Sequence, residues 1–572
     1  MHVRRHRPFV ATAALSLLLP CSASLAGTPI HPEVRARLEA TGEIAAAEAA
    51  LASARERGAN APAEHTPLDA RAGASLGVVR LLVILVDFSD EEWTAGSVAA
   101  TPADFDLLLG SQGQYPTGSM KDFYDENSYG LADLRVDVAG WYRMPETYAY
   151  YTACNHGFGS YPMNAQRLAE DAVAAADGDV DYRTYDNNGD GRVDALAIAH
   201  AGPGFEDTGD ACRIWSHAWG FAAQTRDGVV LSGYSMEPEE SGGGGIVHIG
   251  VFCHEFGHTL GIPDLYPCYN LGSFSVMAGG TWANGGVTPV HFDAWSKIRL
   301  GWVVPTNVTA PLSGASIPRV EDSPTVYRLW TRGAGGPEYF LIENRQRFGF
   351  DAFLPGSGLA IYHVLDTNAQ CGSPPKITME QADGEDEIAL GGAVDAGDFW
   401  PGSGGAENPN RLFDRDTVPS SRTHGGADSE VRVANVSGSA AVMTADLSVR
   451  REYPVSLSLV DFARLGWTSH FLVTGPPFSK LAVFADKAPG TTCRSGYCLG
   501  LRGSRHMRTL WDSFDRGDAP LLDVGERTVP MDIPASRRFA FRTFYVDAVV
   551  DVNGGASGGH VVTGALAVTI FP

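Results

Sequence analysis

The chain has 572 residues and a formal net charge of −24 at pH 7. This length exceeds what one hydrophobic core usually organises, so we expect roughly two to four domains. The composition is that of a globular protein, and the acidity excludes nucleic acids and anionic membranes as expected partners, because both would repel the chain.

The first 26 residues have the pattern of a secretory signal peptide. A basic start precedes a short apolar run, and the small residues Ser24 and Ala26 fit cleavage after Ala26. A membrane anchor is the alternative, but the apolar run is short and contains Pro20. No later segment is long and apolar enough to span a bilayer. We therefore expect an exported protein without an integral membrane segment.

Residues 27–76 are rich in Ala, Glu and Arg and contain no aromatic residue. This composition predicts a helix followed by a Pro-containing linker. In an exported protein such a leader indicates a propeptide, and the alternative is a plain N-terminal linker.

Strand and helix patterns alternate between residues 77 and 305. Residues 77–88 and 194–202 are β-branched apolar runs typical of buried strands. Residues 119–130 predict a capped helix that ends at glycine, and residues 246–261 predict an apolar helix. We expect an α+β domain over 77–305.

Short strand patterns separated by Gly, Pro and Asn dominate the rest of the chain. They predict a β-rich domain over 306–450 and a β-sandwich-like C-terminal domain over 451–572. Nothing in the last domain selects a ligand or a binding partner. We expect the protein to be a monomer.

Seven cysteines follow the predicted signal peptide, so at least one thiol is expected to stay unpaired. The stretch "CRSGYC" predicts a small disulfide loop between Cys493 and Cys498. Cys253 lies in the apolar helix and is expected to be the buried free thiol. The other pairings are left open.

The stretch "FCHEFGHTLGIPDLY", residues 252–266, has the spacing of a metal site. His254 and His258 are four residues apart, so on a helix both imidazoles lie on one face and can bind one zinc ion. Glu255 is rotated by about 100° from His254, which disfavours it as a ligand. Its carboxylate can still reach a water molecule on the open side of the metal and take its proton.

A third ligand is expected ten residues after His254. Gly261 allows a left-handed turn, so the chain can double back and bring Asp264 to the metal. No glutamate occurs between Glu255 and Glu321, which disfavours a ligand from a downstream helix. Other candidates that the sequence leaves open are His291 and Asp293.

The stretch "DNNGDGRVD" supplies oxygen ligands at the spacing of a calcium loop. The candidate ligands are Asp186, Asn188, Asp190 and Asp194. The twelfth position is Ala197 rather than a bidentate glutamate, so the loop is incomplete as an EF-hand. The alternative is an Asp/Asn-rich turn before a strand.

The zinc motif followed by "SFSVMAGGTW" resembles the metzincin metallopeptidases, in which a methionine turn lies below the zinc. Met277 would be that methionine. Several stretches between about Leu81 and Val364 resemble, in the same order along the chain, the immune inhibitor A family of secreted bacterial metallopeptidases. They include "FYDENSYG", "GVFCHEFGHTLGIPDLY", "HFDAWSKIRLGW" and "YFLIENRQRFGFDAFLPGSGLAIYHV".

This resemblance implies zinc held by His254, His258 and Asp264, with Glu255 as general base and acid. It also implies a propeptide and proteolysis of extracellular proteins or peptides. Gly279 is a departure, because some metzincins have a tyrosine two residues after the methionine. Tyr266 is one candidate for assisting the oxyanion instead.

The sequence therefore predicts a metzincin-like zinc protease domain followed by β-rich, sandwich-like domains. The alternative function is a cell-surface or matrix-binding protein with a degenerate or structural metal site. Glu255 argues against this alternative, because a purely structural site needs no general base.

Overall fold

The structure is a computed structural model. It describes residues 25–56, 76–266, 271–368, 374–388, 394–402 and 410–449, and the strands and short stretches of 456–569. The predicted signal peptide up to Ser24, the predicted linker over 57–75, Cys268 and Cys371 lie outside the described residues. The chain divides into two compact units, Met1–Val449 and Arg450–Pro572. The domain boundaries expected from sequence stay predictions.

A six-stranded sheet forms the centre of the first unit. Its strands are β1 Leu25–Gly27, β2 Gly77–Asp87, β3 Ala132–Arg143, β4 Leu196–Pro203, β5 His217–Arg226 and β6 Val229–Glu240. The spatial order is β1-β5-β6-β4-β2-β3. Strands β3, β2, β4 and β6 run parallel to one another, whereas β5 pairs antiparallel with both β6 and β1. The predicted buried strands at 77–88 and 194–202 are confirmed.

Helices cover both faces of this sheet. They are α1 Pro32–Thr41, α2 Ile44–Glu56, α3 Pro102–Gly110, α4 Met120–Ser128, α5 Tyr148–Thr152, α6 Ala165–Ala176, α7 Phe205–Thr208, α8 Ile249–Thr259 and α9 Ala294–Arg299. The side chains of Ser119 and Asp122 form the capping box that starts α4, as its sequence predicted. The leader holds two helices rather than the one predicted, because Gly42 adopts a positive φ of 79° and ends α1.

Helix α8 lies in the hydrophobic core on one face of the sheet. All eleven of its residues are buried. Strand β4 presents the small residues Ala197 and Ala199 on this face, and Phe252 and Phe256 of α8 belong to the same core cluster. Small strand residues allow α8 to pack close to the sheet. The histidines of α8 are therefore held in a tightly packed core.

β-Strands are the main elements in the rest of the first unit. They are β7 Thr306–Asn307, β8 Leu312–Pro318, β9 Tyr327–Trp330, β10 Glu338–Arg345, β11 Gly358–Leu365, β12 Ile377–Met379, β13 Arg432–Ala434 and β14 Val442–Ser448. One sheet has the order β12-β11-β10-β9-β7 and the other the order β13-β14-β8. The β-rich character predicted for this region is confirmed.

The second unit is β-rich as well. Its strands are β15 Ser456–Leu459, β16 Thr468–Thr474, β17 Leu481–Asp486, β18 Pro489–Arg494, β19 Tyr497–Leu501, β20 Arg508–Asp512, β21 Glu526–Asp532, β22 Thr543–Asp551, β23 His560–Val562 and β24 Leu566–Thr569. Cys493 and Cys498 are opposite each other in the β18–β19 hairpin. Their side chains lie outside the description, so this disulfide and the sandwich architecture stay predictions. In the described part of the chain, no helix combines the length and hydropathy that crossing a bilayer requires.

A buried ion pair connects β10 to the segment that follows α8. Arg345 Nε and Nη2 contact the two carboxylate oxygens of Asp351 at 2.6 and 2.7 Å, and both side chains are fully buried. Arg345 also donates to the Phe274 carbonyl, and Asp351 accepts from the His291 amide. Arg345 and Asp351 therefore hold the segment after α8, at Phe274 and His291, against the β-rich region.

Replacing Arg345 by Leu is expected to lower the free energy of unfolding by about 3–5 kcal/mol, because it leaves the carboxylate of Asp351 buried without its partner. Urea unfolding of the full chain measures this change. Arg347→Leu is the matched control, since Arg347 is exposed and surface substitutions usually change stability by about 0.5 kcal/mol or less. Equal losses in the two variants would contradict the prediction.

Candidate metal centre

Helix α8 and the turn after it bring three potential metal ligands together. His254 and His258 come from the helix, and Gly261, with a φ of 88°, turns the chain back toward it. The turn is fixed by a hydrogen bond from the Ile262 amide to the Gly257 carbonyl. It carries Asp264 to the same face as the two imidazoles.

The three ligand atoms form a nearly equilateral triangle. His254 Nε2 and His258 Nε2 are 3.2 Å apart, and each is 3.2 Å from Asp264 Oδ1. Neighbouring ligand atoms of a tetrahedral zinc ion are about 3.3 Å apart when the bonds are about 2.0–2.1 Å long. These residues therefore have the separations that a zinc ion requires.

Hydrogen bonds at Nδ1 fix the tautomer of both imidazoles. Nδ1 of His254 lies 2.8 Å from the carbonyl of Val276, and Nδ1 of His258 lies 2.8 Å from the carbonyl of Ile262. A carbonyl only accepts, so each Nδ1 carries a hydrogen and donates it. Burial lowers the pKa of His254, which favours its neutral form. The two Nε2 lone pairs and a carboxylate oxygen thus converge on one point, an arrangement that a bound cation stabilises.

Glu255 lies beside this triangle and is completely buried. The hydroxyl of Thr28 donates a hydrogen bond to its Oε1 atom. Its Oε2 atom has no hydrogen-bond partner among the described residues. Burial raises the pKa of Glu255 well above its usual value, and the neighbouring carboxylates Glu237 and Asp264 raise it further.

The segment that carries Thr28 lies along the edge of the central sheet. Strand β1 pairs antiparallel with His217–Trp219, and the Thr28 amide donates to the Ser216 carbonyl at 2.9 Å. The Trp215 indole donates to the Thr28 carbonyl at 2.7 Å. Thr28 is fully buried, so this segment covers Glu255 in the intact chain.

Met277 lies directly below helix α8. A Cβ atom on Gly257 would be 2.4 Å from the Met277 sulfur, so any side chain at that position would have to displace the methionine. The carbonyl of Val276, the residue before it, accepts the hydrogen bond from His254. The turn thereby supports the ligand ring, which is the place that the sequence predicted for the methionine.

The other candidate third ligands lie in other contacts. His291 Nε2 is 2.7 Å from Glu126 and its Nδ1 is 2.9 Å from the Lys297 ammonium. Asp293 caps helix α9 by accepting from the Ser296 amide. Neither belongs to the group of ligand atoms formed by His254 and its neighbours.

Tyr266 and Thr281 also lie near the three candidate ligands, but only Tyr266 was a candidate from the sequence. The Tyr266 ring lies 6.0 Å from the His254 ring, centroid to centroid, so the residue proposed for the oxyanion is close to the metal ligands. The hydroxyl of Thr281 is 3.2 Å from His254 Nδ1 and donates to the Val276 carbonyl. Sequence reasoning missed Thr281, because no motif sets its distance from the histidines.

The candidate calcium loop forms a hydrogen-bonded turn. The carboxylate of Asp186 accepts from the amides of Gly189, Asp190 and Gly191, and Asn188 donates to Asp194. Asp186, Asp190 and Asp194 do not form one group of potential metal ligands in the structure. Burial raises the pKa of Asp194 to about 7. Calcium in this loop stays a prediction.

The structure confirms one prediction about the cysteines and adds one disulfide. Cys253 is a buried free thiol, as expected. Cys154 and Cys212 form a disulfide across 58 residues, a pairing that the sequence left open.

Comparisons with known proteins identify a peptidase family and two curated relatives. Residues 73–302 match the family model described as immune inhibitor A peptidase M6, catalytic domain. The pre-pro-metalloprotease PrtV of Vibrio cholerae serotype O1 (strain M66-2) is 29% identical over 274 residues, covering 38% of this chain and 29% of that protein. Immune inhibitor A of Bacillus thuringiensis subsp. alesti is 34% identical over 220 residues, covering 31% of each chain.

The matched part of the chain thus spans less than a third of the length of these curated relatives. The solved structure of the sporulation control protein Spo0M from Bacillus subtilis matches with 13% identity and a TM-score of 0.12, covering 21% of this chain and 49% of that one. So low a score carries no argument about the fold. Residues 73–302 thus match the immune inhibitor A peptidase M6 family, and the two curated relatives, named a metalloprotease and an immune inhibitor A, support this resemblance.

Proposed function

We propose that the protein is a secreted, zinc-dependent endopeptidase that hydrolyses peptide bonds of extracellular proteins. The observation that carries this proposal is the triangle of His254 Nε2, His258 Nε2 and Asp264 Oδ1 with edges of 3.2 Å. The family match over residues 73–302 supports a metallopeptidase. Secretion rests on the signal-peptide pattern of the sequence.

His254, His258 and Asp264 would hold the zinc ion. When bound, zinc acts as a Lewis acid toward a peptide carbonyl and lowers the pKa of a water molecule. Each histidine keeps Nε2 free for this role by donating from Nδ1 to a backbone carbonyl. The Val276 carbonyl is held in turn by Thr281, so the orientation of His254 depends on a second layer of contacts.

Glu255 would move the proton of the reaction. Its carboxylate takes a proton from the attacking water and passes it to the amine that leaves. This role requires water and substrate to reach the Glu255 carboxylate. In the intact chain the Thr28 hydroxyl is hydrogen-bonded to that carboxylate and blocks access to it. The N-terminal segment would therefore act as a propeptide that keeps the enzyme latent, a reading that fits the pre-pro-metalloprotease name of the PrtV relative.

The edge strand β5 would bind the substrate backbone after the N-terminal segment has left. Strand β1 already occupies this edge by antiparallel pairing at His217–Trp219. An extended peptide can add to a sheet edge in the same way, because the strand offers regularly spaced N–H and C=O groups. The substrate would therefore replace this N-terminal segment, of which Gly27 and Thr28 remain after the expected cleavage behind Ala26, rather than enter a separate pocket.

Removing the metal tests the proposal. Dialysis of the processed protein against a chelator is expected to abolish casein hydrolysis, and one equivalent of zinc is expected to restore it. His258→Gln and Asp264→Asn should each lower the bound zinc and the activity by at least about tenfold, because a ligand is lost. His248→Gln, at the other end of α8, is the matched control and should retain both. Full activity in the zinc-free protein would refute the proposal.

A further inference from the structure

Two tryptophan side chains donate hydrogen bonds to consecutive carbonyls of the N-terminal segment. The indole of Trp215 donates to the Thr28 carbonyl at 2.7 Å, and the indole of Trp282 donates to the Pro29 carbonyl at 2.5 Å. Trp215 lies just before β5, whereas Trp282 lies in the 3₁₀ turn Gly279–Gly286 that follows the methionine turn. Two separate elements therefore hold the segment by its main chain.

These contacts lie beside the candidate general base. The Thr28 hydroxyl donates to Glu255, so the chain held by the two indoles passes the Glu255 carboxylate. The Thr28 amide donates to the Ser216 carbonyl at 2.9 Å, so Thr28 is bound through both of its main-chain groups. Pro29 is bound through its carbonyl alone, because proline has no N–H. Neither tryptophan contact depends on the side chain of the bound residue.

Packing fixes both indoles in place. Trp215 is 2% exposed, and its ring lies 4.9 Å from the Phe205 ring, centroid to centroid. Trp282 is 8% exposed, and a Cβ atom on Gly286 would be 3.3 Å from its ring. Donors whose orientation is fixed before binding lose little conformational entropy when an acceptor arrives.

Release of the N-terminal segment takes the acceptors of both indole N–H groups away. A buried donor without an acceptor is unfavourable, so each indole then requires a new carbonyl or a water molecule. An extended peptide that pairs with the edge of β5 presents main-chain carbonyls at the same spacing, whatever its sequence. The two donors are therefore suited to a second polypeptide in the place of the first.

We infer that Trp215 and Trp282 bind two consecutive main-chain carbonyls of the substrate. This inference rests on the proposed function and adds the substrate class, which is extended polypeptide recognised by its main chain at these two positions. It also sets a rule for proline. The first position needs its N–H for the Ser216 carbonyl, so it excludes proline, whereas the second position accepts proline as it accepts Pro29.

Trp215→Phe and Trp282→Phe test the inference, because phenylalanine keeps an aromatic ring and lacks the N–H. With the processed protein and a casein-derived peptide, each variant should raise KM about three- to tenfold, the effect of losing one hydrogen bond between neutral groups. The kcat should stay within about twofold, since a contact made equally in the ground state and the transition state changes only KM.

Trp141→Phe is the matched control for both variants. Its indole also donates to a main-chain carbonyl, that of Ala100 at 2.8 Å, but Trp141 lies in β3 at the opposite edge of the sheet. This variant should keep the KM of the parent, and melting curves and zinc content should be similar for all three variants. If the indoles serve only to hold the N-terminal segment, Trp215→Phe and Trp282→Phe will also keep the parent KM, and the inference is overturned.

Peptide binding to the zinc-loaded, processed Glu255→Gln variant separates this inference from the proposed function, because binding needs no hydrolysis. The probe is a fluorescein-labelled casein peptide in which a single thioamide is moved along the chain, since sulfur is a weaker acceptor than oxygen. Thioamides at two neighbouring positions should weaken binding. One should lose its effect when Trp215→Phe is added, and the other when Trp282→Phe is added, because the contact is already gone.

The outcomes of this scan are distinct. Equal thioamide penalties with and without the tryptophan substitutions would overturn the inference even if the parent hydrolyses peptides. A parent that hydrolyses nothing, together with the expected loss of the penalties, would refute the enzyme and support the indole contacts. Proline at the first of the two positions should abolish binding and at the second should preserve it, and the reverse result would overturn the assigned register.

Discussion

Glu255→Gln is expected to lower kcat for peptide hydrolysis by about 10²–10⁴-fold, the usual contribution of a general acid–base group. The amide has nearly the same shape as the carboxylate but accepts no proton from water. Glu255 is not part of the ligand triangle, so zinc binding should be unchanged. The measurement is kcat on a peptide substrate with the processed protein, together with its zinc content and melting curve.

Glu240→Gln is the matched control for this variant. Glu240 is a buried glutamate at the end of β6 whose carboxylate accepts from Ser97, so it tests whether any buried acid is required. We expect its kcat to stay within about threefold of the parent. A Glu255→Gln variant that cleaves peptides as fast as the Glu240→Gln variant would remove Glu255 from the mechanism.

Release of the N-terminal segment is expected to convert an inactive chain into an active one. The intact chain should show little hydrolysis, because Thr28 covers Glu255 and β1 fills the edge of β5. A site for a sequence-specific protease inserted within residues 57–75 allows controlled release. Activity before and after cleavage and separation of the segment is the measurement. Equal activity of the intact and the processed chain would contradict the latency proposal.

A synthetic peptide of residues 27–56, the described part of the predicted propeptide, tests the same contact from outside. It should inhibit the processed protein, and Thr28→Val should raise its inhibition constant by about 10–100-fold. The reason is the loss of one hydrogen bond to a carboxyl group, a contact worth about 1.5–3 kcal/mol when the carboxyl is charged. Thr41→Val is the matched control peptide, since the Thr41 hydroxyl donates within and just beyond helix α1. Equal inhibition by the two variant peptides would show that Thr28 does not act through Glu255.

The sequence could predict that the three candidate metal ligands lie close together, because their relation is local. The spacing of His254 and His258 sets their common helix face, and Gly261 supplies the turn that brings Asp264 back. The strands at 77–88 and 194–202 were predictable for a similar reason, since a continuous apolar run allows few other structures.

Contacts between distant parts of the chain could not be predicted in this way. Thr28 and Glu255 are 227 positions apart, and no pattern in either segment refers to the other. The Cys154–Cys212 disulfide spans 58 residues, whereas a short loop such as "CRSGYC" is visible to the eye. The loop at Asp186 shows a further limit. The sequence spacing of its oxygens fits a cation. Backbone amides also bind these oxygens, and this competition is seen only in the folded structure.

The position of β1 at the end of the six-stranded sheet has a consequence for the solution behaviour of the protein. Once residues 25–27 are gone, β5 becomes an edge strand with unsatisfied main-chain groups, the kind of surface through which proteins aggregate. For the secreted enzyme proposed above, the unprocessed form would therefore be the safer one at the high concentrations that accompany synthesis and export. Dilution outside the cell would then favour pairing of that edge with foreign polypeptides over pairing with its own copies.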